Sequence, residues 1–319
     1  MKTETAPETD KPRPSRLRRI LKRMVITILV LVVIFFFVVF PLGLAILVTG
    51  AGTRPLDRRL TETPADLGAE FKDVEFQTSD GVKISGWLLQ AREGRATIIY
   101  SHGLFRSRRE LLARALDLWH LGYGALLYDA RNHGTSGKAR VSLGYNERLD
   151  AEAAVRFVRE EAGANKIVLF GISMGAATAL LAAAETTEVA AVIADSSFLS
   201  FKDTTDHHLR MFLRVPPFPI ANEVRFFMEW RADFDGEKLD ALDAVKCIGD
   251  RPVFFIAGAN DRRMPPDIAR RLHEASSSPK RDLLIVDGPG SEIHGHAYQT
   301  DPKLYISHIS RFLESALND

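Results

Sequence analysis

The sequence predicts an α/β fold, a mostly parallel central sheet flanked by helices, preceded by one N-terminal transmembrane helix. Three observations carry that expectation. Short β-branched runs alternate with amphipathic stretches from about residue 70 onward, the pattern of a parallel sheet covered on both faces. No charged residue interrupts the chain from Met24 to Thr53. Gly171-Ile172-Ser173-Met174-Gly175 stands between a strand-like run and a helix-like one.

Residues 1–23 hold eight Lys or Arg against three acids, and their Thr, Pro, Lys and Glu content reads as a basic, unstructured tail. The following segment, 24–49, is a transmembrane helix, because Val25 to Val48 exceeds the roughly 20 apolar residues that span a bilayer core. It is also longer than the apolar stretch of about 7 to 15 residues in a cleaved signal peptide. Seven basic residues between Lys11 and Arg23 put the N-terminus in the cytoplasm and the remainder outside it, in the periplasm, a lumen or the exterior. Residues 50–69 are polar and read as a linker.

Residues 70–319 then have the length of one domain. FKDVEFQT and VKISGWLLQA form an expected hairpin about Asp80-Gly81. Further strands are expected at ATIIYSH, YGALLYDA, KIVLFG, VAAVIADSS, RPVFFIAG and RDLLIVDG, with helices between them and a closing helix from Asp301 to Leu317. At about 196–241 the alternation breaks into an irregular insertion rich in Phe and Pro. It reads either as a lid whose Phe198, Phe212, Phe227 and Trp230 line a substrate pocket, or as a small core of its own.

The chemistry concentrates at Ser173. A serine between two glycines, after a strand and before a helix, sits on a sharp turn that exposes its hydroxyl, and the Met174 amide at the helix start can point at a developing oxyanion. A serine hydroxyl needs a base and an acid that orients the base, expected in the chain order nucleophile, acid, histidine. Asp261 in AGANDRRMPP follows a strand, and His294 and His296 both lie in the loop before the final helix. Either histidine fits the base on position alone.

Composition narrows the alternatives. Forty-two Lys and Arg against 41 Asp and Glu give no field for nucleic acid. The single cysteine, Cys247, excludes an internal disulfide and reads as a small buried hydrophobe. Asp203, Asp206, His207 and His208 do not have metal-ligand spacing, so no metal or other cofactor is expected. Arg106, Arg108 and Arg109 read as a solvated helix start, and His102 and His133 as structural hydrogen-bonders.

With these residues in view, the chain resembles the α/β-hydrolase superfamily across nearly all of residues 70–317. Ser101-His102-Gly103 resembles the family's oxyanion loop, which implies the Leu104 amide as the second oxyanion donor. YDARNHGTSG is similar to a structural segment after the fourth strand, GANDRRMPP to the acid loop, and HGHAYQTDPKLYISHISRFL to the histidine loop. The resemblance selects His294 over His296. Ala176, where many relatives carry a second glycine, is the one departure. An anchor joined to such a domain resembles the Bem46-like and FrsA-like serine aminopeptidase S33-type hydrolases. The resulting expectation is a membrane-anchored serine hydrolase that cleaves an ester or thioester of a small molecule, lipid or acylated substrate, ranked above an aminopeptidase and above a non-catalytic binding module.

Overall fold

Eight strands form one sheet in a computed structural model that describes residues 15–317. Residues 1–14, most of the expected basic tail, lie outside the described residues, as do 318–319. In chain order the strands are β1 (Lys72–Gln77), β2 (Lys83–Leu89), β3 (Thr97–Ser101), β4 (Gly124–Tyr128), β5 (Ile167–Ile172), β6 (Val189–Asp195), β7 (Val253–Gly258) and β8 (Arg281–Val286). Across the sheet they lie β1-β2-β4-β3-β5-β6-β7-β8. Strand β2 is antiparallel to both its neighbours, and from β4 to β8 every pairing is parallel.

The central strands are apolar on both faces because both are covered. In β5, Ile167 and Leu169 enter one core while Val168, Phe170 and Ile172 enter the other, as the two-residue period of a strand requires. The long apolar helix α1 (Arg16–Thr49) precedes the sheet. Helices α2 (Leu112–His120), α3 (Glu147–Glu160), α4 (Met174–Glu185), α5 (Phe201–His208), α6 (Ile220–Ala232), α7 (Ala241–Ile248), α8 (Pro266–Ala275) and α9 (Pro302–Leu317) follow. Half of the buried positions of helix α4 are alanine, and these small side chains let it lie close against the sheet.

The alternation of strands and helices matches the sequence expectation closely, while three details differ. Cys247 is exposed. The apolar stripe of α7 runs through Ala241, Ala244, Val245 and Ile248, the helical spacing, and Cys247 falls off it. Arg106, Arg108 and Arg109 are not a solvated run. Arg108 is buried in an ion pair with Asp129 (3.0 Å), Arg106 pairs with Asp57 (3.1 Å) and Glu110 (2.8 Å), and Arg109 lies over the Trp87 ring.

The third difference concerns the join between the N-terminal helix and the domain. Helix α1 is long and apolar enough to cross a membrane, and it is exposed along residues 15–39. Its last turns are not: Pro41, Ala45 and Thr49 are buried, with Ala45 and Ala51 part of the main core. Helix α6 packs along both the π-helical turn Phe35–Val39 and the segment Phe40–Thr49. The polar segment that follows is docked on the domain. Asn132 donates to the Ala51 carbonyl (2.6 Å), and Thr53 donates to the Arg106 carbonyl (2.8 Å) while accepting from the Gly134 amide (2.7 Å).

Candidate active site

The strand order reverses between β3 and β5, so the loops leaving their carboxyl ends diverge and open a crevice. Ser173 stands there, directly after β5. Its backbone has φ 56° and ψ −117°, a strained left-handed conformation for a residue with a side chain. The flanking glycines make this turn sterically feasible. A Cβ on Gly175 would lie 2.0 Å from the Ser101 carbonyl oxygen, and one on Gly171 would lie 1.9 Å from that of Gly175. Backbone atoms cannot yield as a side chain can. Gly175→Ala is therefore expected to destabilise the fold by about 3 kcal/mol or more, read as a drop in the urea midpoint. Ala176, the departure from the related pattern, is buried in α4.

The sequence-predicted acid and base meet this serine. Asp261 follows β7 and is buried. One of its oxygens accepts from the amides of Arg263 (2.8 Å) and Met264 (3.0 Å), and the other faces His294 Nδ1 at 2.7 Å. A carboxylate only accepts, so Nδ1 carries the proton and donates it. That leaves His294 Nε2 as the acceptor for the Ser173 hydroxyl, 2.8 Å away. His296 is not part of this chain. It lines a separate polar hollow of about 200 Å³ with Arg106, Glu110 and Arg114.

The loop after β3 brings Leu104 to the same crevice, and Leu104, Ser173 and Met174 line one cavity. Among the described residues, neither the Leu104 nor the Met174 amide donates to a protein acceptor. Side chains that the sequence did not reveal hold this loop. Glu110 accepts from the Gly103 amide (2.7 Å) and from Arg106 (2.8 Å). Behind the histidine loop, buried Arg114 donates to the Gly295 carbonyl (2.7 Å). An arginine in an amphipathic helix reads as exposed in sequence, and nothing in its spacing signals a buried partner.

Two further histidines brace the loop as neutral rings. His102 Nε2 accepts from the Ala130 amide (3.0 Å), so its Nδ1 donates to the Gly103 carbonyl (2.8 Å). His133 Nε2 accepts from the Phe105 amide (3.3 Å) and its Nδ1 donates to the Arg131 carbonyl (2.9 Å). Burial, reinforced by neighbouring His102, lowers the His133 pKa from 6.5 to about 3. The unfolded chain therefore binds the extra proton first as pH falls. The stability that His133 contributes is complete above about pH 6.5 and is lost progressively toward about pH 3. The urea midpoint is expected to fall across that window, and His133→Gln, which cannot charge, to flatten the dependence.

The cavity holding Ser173 has a volume of about 470 Å³, within the roughly 300–1,000 Å³ usual for small-molecule sites. Phe198 and Phe212, two of the sequence-suggested pocket residues, line it. Phe227 and Trp230 do not: α6 turns Val224 and Met228, one helical turn apart, toward the cavity. That rotation leaves Trp230 67% exposed and packs Phe227 against the core rather than the cavity. The other polar candidates in the insertion have structural partners, Asp206 with Arg225 (2.5 Å) and His207 with the Arg262 carbonyl (2.8 Å). His208 keeps one ring atom free, its buried Nε2, and burial lowers its pKa to about 4.

Fold and crevice together define the class, an α/β-hydrolase. A model of the serine aminopeptidase S33 family matches residues 92–224. The Bacillus subtilis protein YqkD is 27% identical over 270 residues, covering 82% of this chain and 87% of its own. Protein bem46 of Schizosaccharomyces pombe is 26% identical over 254 residues, with 72% and 78% covered. A solved structure of the Pyrococcus furiosus esterase Pf2001 superposes with a TM-score of 0.67 at 27% identity, covering 84% of this chain and 98% of that one. These likenesses agree with the α/β-hydrolase fold, and the chain is similar to the serine aminopeptidase S33 family and to bem46.

Proposed function

We propose that the protein is a membrane-anchored serine hydrolase that cleaves carboxylic esters or thioesters through an acyl-enzyme. The observation that carries this reading is the unbroken hydrogen-bonded chain from Ser173 through His294 to Asp261. His294 Nε2 takes the hydroxyl proton as Ser173 Oγ attacks the substrate carbonyl. The amides of Leu104 and Met174 stabilise the oxyanion. As the C–O or C–S bond breaks, the imidazolium returns the proton to the leaving group. Water then attacks the acyl-serine by the same route, and the acid is released.

Ester chemistry ranks above the peptidase reading because the cavity is largely apolar. Likeness to an esterase points the same way. Anchoring rests on the uncharged length of α1, with the basic side cytoplasmic and the catalytic domain on the opposite face. Reporter fusions at the C-terminus test that orientation, and a cytoplasmic signal contradicts it.

The hydrolase reading is tested by intact-mass analysis of the full-length protein in detergent after treatment with a small fluorophosphonate. One phosphonate per chain is expected, and none on Ser173→Ala. An unreactive parent protein favours the non-catalytic binding module instead.

A further inference from the structure

We infer that the cavity at Ser173 takes the acyl chain of a membrane lipid directly from the bilayer, with Leu44, Leu47 and Val48 of the anchor helix as part of its chain-binding wall. The inference rests on the hydrolase and anchor readings above and names their substrate class. Its first ground is that the anchor is not merely a tether. Leu44, Leu47 and Val48 line the same cavity as Ser173 and Met174, so the membrane helix and the candidate nucleophile share one apolar space.

The second ground is depth. Arg23 cannot enter the hydrocarbon, and a span of roughly 20 residues counted from Met24 ends near Gly43. Helix α6 packs along residues 35–49, on both sides of that level. The inner side of α6 contributes Val224 and Met228 to the cavity, which therefore lies beside the membrane surface.

The third ground is the outer surface of the same insertion. Phe218, Phe226 and Trp230 are 77%, 62% and 67% exposed, and Arg210 and Arg214 are exposed close by. Large aromatic side chains outside and basic side chains near them suit the boundary between headgroups and acyl chains. A chain passing from bilayer to cavity along this face leaves one apolar medium for another and never exposes its methylenes to water. His208 Nε2, buried and unpartnered in the cavity wall, is a polar atom able to bond the ester or a headgroup hydroxyl.

In the reaction so assigned, the Ser173 Oγ–acyl carbon bond forms and the ester C–O bond breaks. The freed lipid alcohol takes the proton held by His294, and water later releases the fatty acid.

The test uses the full-length protein in phosphatidylcholine vesicles with a hexadecyl fluorophosphonate carrying a diazirine at mid-chain. Attack by Ser173 forms the O–P bond and expels fluoride, which seats the alkyl chain before irradiation. Peptide mapping is expected to find Ser173 phosphonylated and the same molecule cross-linked within residues 41–49. Phosphonylated Ser173 with cross-links only elsewhere overturns the inference and leaves the hydrolase reading intact. An unmodified Ser173 removes both. As a second readout, Leu47→Trp is expected to lower the ratio of kcat/KM for p-nitrophenyl palmitate over p-nitrophenyl acetate by about tenfold. An unchanged ratio counts against the anchor as a chain-binding wall.

Discussion

His294→Ala is expected to lower kcat for p-nitrophenyl butyrate by roughly 10⁴ to 10⁶, close to the loss from Ser173→Ala. The two side chains act as one unit through their 2.8 Å hydrogen bond, so the double variant is expected to lose little more than either single one. The neighbouring imidazole does not substitute, because His296 faces the hollow lined by Arg106 and Arg114. His296→Ala accordingly is expected to keep kcat within a few-fold of the parent. Steady-state kinetics on the parent and the four variants checks the assignment. If His296→Ala proves the more damaging change, the base has been misassigned.

Asp261→Asn is the next largest effect, a loss in kcat of about 10⁴. Asp261 accepts three hydrogen bonds, from His294 Nδ1 and from the amides of Arg263 and Met264. The asparagine oxygen can keep its backbone donors and present its NH₂ to the imidazole. His294 Nδ1 then has to accept, Nε2 carries the proton, and the ring no longer takes one from Ser173. The geometry would be nearly preserved and the tautomer wrong. Unchanged far-UV circular dichroism with the loss in kcat separates this from unfolding. A variant that retains a tenth of the parent kcat contradicts the role given to Asp261.

Much of this was legible from residue patterns. The elbow about Ser173, the acid after a late strand and the histidine before the last helix are local signals, since each lies in a loop tied to a recognisable strand end. What stayed hidden depends on contacts between distant segments. The N-terminal apolar segment has no polar face in the sequence, so nothing there distinguishes its exposed turns from those at Ala45 and Thr49 that enter the protein. The same uniformity concealed Leu44, Leu47 and Val48 as cavity wall.

Charge misled in the opposite direction. Arg108 looked solvated because its partner Asp129 is 21 positions away, and Glu110 gave no sign that its carboxylate would hold the Gly103 amide. The insertion was recognised, yet its facing was not. A soluble helix turns its largest apolar side chains inward, whereas α6 presents Val224 and Met228 to the cavity and Phe226 and Trp230 to its surroundings. The proposed bilayer contact of that outer face would account for the reversal.

The most direct measurement is rapid-quench analysis of the full-length enzyme with p-nitrophenyl palmitate, joined to peptide mass spectrometry of the quenched protein. The account predicts an initial release of about one p-nitrophenol per chain and a palmitoyl adduct on the peptide containing Ser173, absent in Ser173→Ala. Turnover with no adduct at residue 173, or an adduct on another side chain, contradicts it.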